Sequence, residues 1–255
     1  LIDKTEPVIE LIEPANDQYI GGIESILNIV GNINELNFDH FELSFSENTV
    51  TPDWQVIYSS TELLNAQFDY PWLIAANDGE ALMRLSVFDK AGWNSEKIHN
   101  ITIDSTAPIA QITQPITNAI VGIRSELIGS ANDDNFDFYT LSYKITGSDE
   151  WNLFHINQSN VTSDSLGFLP ENLAFGNYEV KLSAQDKVGL NSESIINLSI
   201  DNEPPPTPLN LTLELNNQQV VLIWDRVEIS DLAGYIIFRN GTQLNPQIHL
   251  NNSYL

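Results

Sequence analysis

The sequence predicts an all-β protein made of tandem antiparallel β-sandwiches arranged end to end. Three observations carry that expectation. The chain repeats itself about every hundred residues, its apolar residues recur with a period of two, and no stretch of ten or more residues has a convincing 3.6-residue period.

The repeat is read from two pairs of segments. Residues 3 to 14, DKTEPVIELIEP, align without a gap on residues 104 to 115, DSTAPIAQITQP. Further on, DKAGWNSE at 89 to 96 matches DKVGLNSE at 186 to 193 in six of eight positions. Between these anchors Gly31 aligns on Gly129, Phe41 on Tyr139, Trp54 on Trp151 and Leu85 on Leu182. Two related units follow, residues 1–103 and 104–200.

Within the units, strands are expected where apolar and polar residues alternate, because successive side chains of a strand face opposite sides of its sheet. Phe41, Leu43 and Phe45 show the pattern in the first unit. Tyr139, Leu141, Tyr143 and Ile145 show it in the second, as do Tyr178, Val180, Leu182 and Ala184. Ser60 to Gln67 has room for a short helical turn at most. The linker Ile103 to Pro108 leaves little slack between the units, and Pro108 stiffens the entry to the next strand. After Ile200, residues 201–208 read DNEPPPTP, a stiff proline-rich connector. In residues 209–255, apolar runs flank an Asn240-Gly241 hairpin signal.

Composition narrows the function classes. With 10 Lys and Arg against 35 Asp and Glu, the net charge is −25, which excludes a phosphate-backbone binder dependent on clustered cations. At 42% hydrophobic and 9% aromatic, the chain has enough apolar surface for packed cores, so its charge does not mark a disordered acidic tail. The absence of cysteine removes disulfide scaffolds, thiolate metal sites and cysteine nucleophiles. No apolar run exceeds the five residues of Trp72–Ala76 or Val220–Trp224, so no membrane insertion is expected within this chain.

The order of motifs (a Pro-led first strand, a Gly-Ser/Asn turn, an aromatic strand, a Trp-bearing strand and a D-K-x-G-x-N-S turn) resembles bacterial immunoglobulin-like domains over residues 3–200. Such domains occur in tandem in large exported surface proteins. The strings VVLIWD and DLAGYIIFRNG resemble the opening strands of a fibronectin type III domain, with Trp224 at that family's core tryptophan. Residues 209–255 are too few for a whole domain of that kind, which is expected to be incomplete here. The resemblance implies an extracellular or cell-surface setting and no particular ligand. Seven N-x-S/T sequons, at Asn100, Asn157, Asn160, Asn197, Asn210, Asn240 and Asn251, add little.

Catalytic signatures are missing from the sequence. His40, His99, His155 and His249 are scattered without metal-ligand spacing, and there is no G-x-S-x-G elbow, phosphate loop or dinucleotide turn. The chain is therefore expected to be non-enzymatic. Trp54 and Trp151, which recur, are expected in the cores, whereas Trp93, replaced by Leu190 in the second unit, is expected to be exposed.

The acidic residues give the sharpest expectation. In the topology that the resemblance implies, the Asn132–Asp137 loop, the turn at 186 to 191 and the linker Asp104 gather at one end of the second unit. Asp104, Asp133, Asp134, Asp137 and Asp186 would then repel one another unless a cation joined them, and Ca²⁺ takes six to eight such oxygens. Asp3, Glu35, Asp39 and Asp89 form a weaker equivalent in the first unit, where Leu36 stands in place of Asp134. Against the metal stands a simpler reading, in which Asp89 and Asp186 only accept backbone hydrogen bonds within their own turns.

The function expected is that of a spacer or stalk in a large exported, adhesin-like surface protein, with flanking domains of the same polypeptide as neighbours. Accessory domains of a secreted enzyme or large toxin, and sandwiches that bind a carbohydrate directly, are the alternatives. The sequence leaves a protein or glycan partner unspecified.

Overall fold

The computed structural model describes residues 4–22, 25–62, 66–216, 219–229 and 232–255. Among them there is no helix. Asp3 and residues 63–65 of the expected helical turn lie outside the described residues.

Among its described residues the first unit contains eight strands. β1 (Val8–Glu13), β3 (Ile26–Asn34) and β6 (Gln67–Leu73) form a three-stranded sheet in the order β1-β3-β6. β2 (Gln18–Gly21), β4 (Phe38–Ser46), β5 (Gln55–Ser60), β7 (Gly79–Asp89) and β8 (Asn94–Asp104) form a five-stranded sheet in the order β2-β8-β7-β4-β5. The second unit repeats the plan. β9 (Ile109–Gln114), β11 (Glu126–Asn132) and β14 (Val161–Phe168) make one sheet, in the order β14-β11-β9. β10 (Ala119–Val121), β12 (Phe136–Ile145), β13 (Asn152–Asn157), β15 (Gly176–Asp186) and β16 (Asn191–Ile200) make the other, in the order β10-β16-β15-β12-β13. In both units one pairing is parallel, β2 with β8 and β10 with β16. The cause is visible in the repeat's second proline. Pro14 and Pro115 lack an N–H and end the first strand's ladder, after which the chain crosses to the opposite sheet.

Cross-strand registers confirm the internal alignment. Leu11 pairs with Gly31 as Ile112 pairs with Gly129. Phe41 pairs with Val87 as Tyr139 pairs with Ala184, and Leu43 with Leu85 as Leu141 with Leu182. The recurring glycine has a steric reason, since a Cβ at Gly129 would collide with the Gln111 carbonyl and one at Gly31 would stand 2.6 Å from that of Glu10. Each sandwich closes over its own apolar cluster. Ile29, Phe41, Leu43, Met83, Leu85 and Ile101 lie at the centre of the first, and Leu127, Tyr139, Leu141, Val180 and Leu182 at that of the second. The Tyr139 hydroxyl is satisfied by donating to the Leu166 carbonyl at 2.8 Å.

Trp54 and Trp151 depart from expectation, for neither enters a core. Strand alternation turns Arg84, Lys144 and Lys181 outward, and each tryptophan covers those cations. Arg84 Cζ lies 4.2 Å from the Trp54 ring, and Lys144 and Lys181 Nζ lie 4.9 and 4.7 Å from Trp151. The cations also meet Glu96, Glu179 and Glu193. Cation–π attraction outcompetes core packing here because the core positions are already filled from within the strands.

The third segment contains β17 (Thr212–Asn216), β18 (Gln219–Ile223), β19 (Phe238–Arg239), β20 (Thr242–Gln243) and β21 (Ser253–Tyr254). The first, second and last form a three-stranded sheet, and β19 pairs with β20. Its core is small: Trp224 packs edge-on against Tyr235 at 5.0 Å, beside Ile237.

Candidate metal centre

The site is built where the first sandwich hands the chain to the second. Asp104 ends β8, Asp133 lies in the turn between β11 and β12, and Asp186 ends β15. One carboxylate oxygen from each comes within 4.8 Å of the others. Asp104 and Asp186 are buried and Asp133 is partly so.

The local sequence fixes all three side chains. Asp186 Oδ1 accepts the N–H groups of Val188 and Leu190, both at 2.9 Å, in a turn that Gly189 completes with φ near 90°. Asp133 Oδ1 accepts the Asn135 N–H at 2.7 Å. Asp104 Oδ1 accepts the Thr106 N–H at 2.9 Å, while its Oδ2 accepts the Asn135 side-chain amide at 2.9 Å. Turn capping and ion binding are therefore compatible, because capping uses one oxygen of Asp186 and leaves the other. That other oxygen, Oδ2, is buried without a hydrogen-bond partner. A buried carboxylate oxygen with nothing to accept from is costly unless a cation meets it.

Electrostatics point the same way. Burial is the largest influence on Asp133 and raises its pKa above the usual carboxylate value, with the neighbouring charges of Asp104, Asp186 and Asp134 adding to the rise, against the opposing Asn135 hydrogen bond. Three ionised groups at this spacing repel by on the order of 3 kcal/mol per pair at an effective dielectric constant near 20. Three carboxylates with the nearby Asn135 suit a hard, oxygen-seeking divalent ion such as Ca²⁺.

A pH prediction follows from the direction of that shift. In metal-free protein Asp133 holds its proton more tightly folded than unfolded. Its contribution to stability is then greatest below the ordinary carboxylate pKa and falls as pH rises through the raised one. Thermal melts in EDTA between pH 3.5 and 7 at constant ionic strength should show that this fall is smaller in Asp133→Asn than in the native chain. Equal falls would show that the triad is not its source.

Two expected members are not part of this group. Asp134 is exposed at the tip of the turn, and Asp137 is the extra residue of a bulge between Phe136 and Phe138, so neither joins the triad. In the first unit Asp39 occupies the matching bulge and meets His40 at 2.9 Å. Glu35 accepts the Asn37 N–H at 2.7 Å, as Asp133 does from Asn135. Asp89 repeats Asp186: Oδ1 caps Ala91 and Trp93, and Oδ2 is buried without a partner. Among the described residues no second triad forms, and Asp3, the counterpart of Asp104, lies outside them.

Contacts that sequence reasoning missed surround the triad. Lys187 Nζ donates to the Tyr19 hydroxyl at 3.0 Å and lies 4.5 Å from that ring's centroid, joining the second unit to the first. The Asp78 carboxylate accepts the Ser105 hydroxyl at 2.7 Å and the Thr106 hydroxyl at 3.0 Å, tying the linker to the first unit. Burial pushes the Asp78 pKa up, but these hydrogen bonds outweigh it and hold the group below its ordinary value. Tyr19, Asp78, Asp104 and Asp133 line one open groove between the units. The sequence carried a faint signal for the lysine alone, since it recurs in both D-K-x-G turns.

No protein-family model matches the sequence, and no curated protein matches it. Among solved structures the chain is similar to a tetra-tandem repeat in the extending region of a large adhesion protein, at 18% identity over 85% of this chain and 55% of that one, with a TM-score of 0.33. It is similar to the chicken CNTN1 FN1-FN3 domains at 13% identity over 73% of this chain and 68% of that one, with a TM-score of 0.34. It is also similar to the Bacteroides ovatus mixed-linkage glucan utilization locus SGBP-B, at 10% identity over 98% of this chain and 61% of that one, with a TM-score of 0.27. The chain spans about half the length of the adhesion-protein repeat. The tandem-sandwich fold rests on the strand orders and cores above.

Proposed function

We propose that this chain is a non-catalytic spacer segment of a large exported, adhesin-like surface protein, in which Ca²⁺ bound by Asp104, Asp133 and Asp186 stiffens the joint between two sandwiches. The observation that carries this reading is the buried, unpartnered Asp186 Oδ2 beside two further carboxylates at the domain junction. The linker between strands is short, and Tyr19, Lys187, Asp78 and Thr106 already brace it. A cation there supplies positive charge at the junction between the two bodies. Exported proteins meet millimolar Ca²⁺, so the joint would be soft before export and firm after it.

Small-angle scattering tests the spacer role. A compact globule of 255 residues has a radius of gyration of about 18 Å. The chain in millimolar Ca²⁺ should give a clearly larger value with a rigid-rod profile. A value near that of the globule would refute the spacer.

A further inference from the structure

Resting on this reading of the joint, we infer that the N-terminal end of the first sandwich is itself a socket for another β-sandwich of the same kind, one that presents an aromatic ring to Lys90. The second sandwich shows what such an end does. There, Asp186 and Asn135 position the turn that carries Lys187, and Lys187 reaches Tyr19 of the neighbouring unit.

The first sandwich repeats that construction bond for bond. The N–H of Lys90 donates to the Asn37 carbonyl at 2.9 Å, as that of Lys187 does to Asn135 at 2.9 Å. The Asp89 N–H donates to the Trp93 carbonyl at 3.0 Å, as the Asp186 N–H does to that of Leu190 at 3.1 Å. Asp89, only 4% exposed, keeps the same unpartnered Oδ2. The Lys90 side chain is exposed, where its counterpart is engaged by a ring.

Apolar surface at the same end gives a second, independent reason. Leu36, in the place of Asp134, is 98% exposed, and Trp93, in the place of Leu190, is 42% exposed. A leucine wholly in water at a turn tip is surface that burial against another body would stabilise. The partner's chemistry follows from the joint already built: a sandwich end bearing a tyrosine on its short parallel edge strand, as Tyr19 lies on β2.

Acylation of lysines by a small active ester, read by mass spectrometry, tests the inference in an extended chain. A second copy of residues 1–103 is placed before residue 3 of the native chain, so that Asp3 takes the linker position of Asp104. That leading copy carries Lys90→Arg, so the only Lys90 observed is the one at the new joint. It should react about fivefold more slowly than Lys90 of the native chain, in keeping with a contact of roughly one cation–π interaction, and Tyr19→Ala in the leading copy should restore the rate. Unchanged Lys90 reactivity, with Lys187 protected as usual, would overturn the inference alone. If Lys187 is also reactive in millimolar Ca²⁺, the reading of the joint itself falls.

Discussion

Asp133→Asn should remove the calcium-dependent stabilisation of this protein and, in EDTA, raise its melting temperature. Binding confined to the folded state contributes roughly 2.7 kcal/mol at a hundredfold excess of ligand over Kd. For a unit of about a hundred residues this is a shift of roughly 4–8 °C. The native chain should show it between EDTA and millimolar Ca²⁺ at fixed ionic strength. Asparagine at 133 keeps an oxygen able to accept the Asn135 N–H, so the turn survives, but it removes one of three mutually repelling charges. The variant thus gains stability without metal and loses the response to it. Asp134→Asn, at an exposed residue outside the triad, should retain the full response. An equal shift in Mg²⁺ would mean that general screening, rather than a built site, is responsible, because Mg²⁺ gives up its water reluctantly to such a cage.

The second large effect belongs to the core. Leu182→Ala should destabilise the second sandwich by about 3–4 kcal/mol, the usual cost of emptying a fully buried leucine site. Leu182 sits between Leu141 and Ser194 on neighbouring strands, which are held in register and cannot collapse into the space. Hydrogen exchange in EDTA reads the result by region. Amides of β12, β15 and β16 should exchange a few hundredfold faster, while those of β4, β7 and β8 keep their protection, since the two apolar clusters share no residue. Equal acceleration in both sandwiches would show that they unfold as one cooperative body.

Which parts of this were legible in the sequence follows from the range of each interaction. The alternation of Phe41, Leu43 and Phe45 is local, and it placed β4 with the correct face inward; in the counterpart β12, Tyr139 and Leu141 are buried as expected, but Ile145 at the end of the strand is exposed. Asp186 was legible for the same reason, because the D-K-x-G turn that caps it is contained in five residues. Asp133, Asp134 and Asp137 share one short run, and composition cannot separate them. The separation comes from a single hydrogen bond that turns Asp133 inward and from a bulge that leaves Asp137 unpaired. Trp54 and Trp151 were misjudged since their partners lie on strands that meet them only after the sheet has formed. The Tyr19–Lys187 contact spans 168 positions and two sandwiches, and no local pattern announces it.

The central claim is that a cation fixes the angle between the first two sandwiches, and the distance distribution between spin labels placed on each tests it most directly. The chain has no cysteine, so Ser59→Cys and Asp149→Cys, both exposed, give one label per sandwich. Pulsed electron paramagnetic resonance should show a single narrow distance in millimolar Ca²⁺ and a broad distribution in EDTA, and Asp133→Asn should remain broad in both. Identical distributions with and without Ca²⁺ in the native chain would contradict the account and leave Asp186 as a turn cap alone.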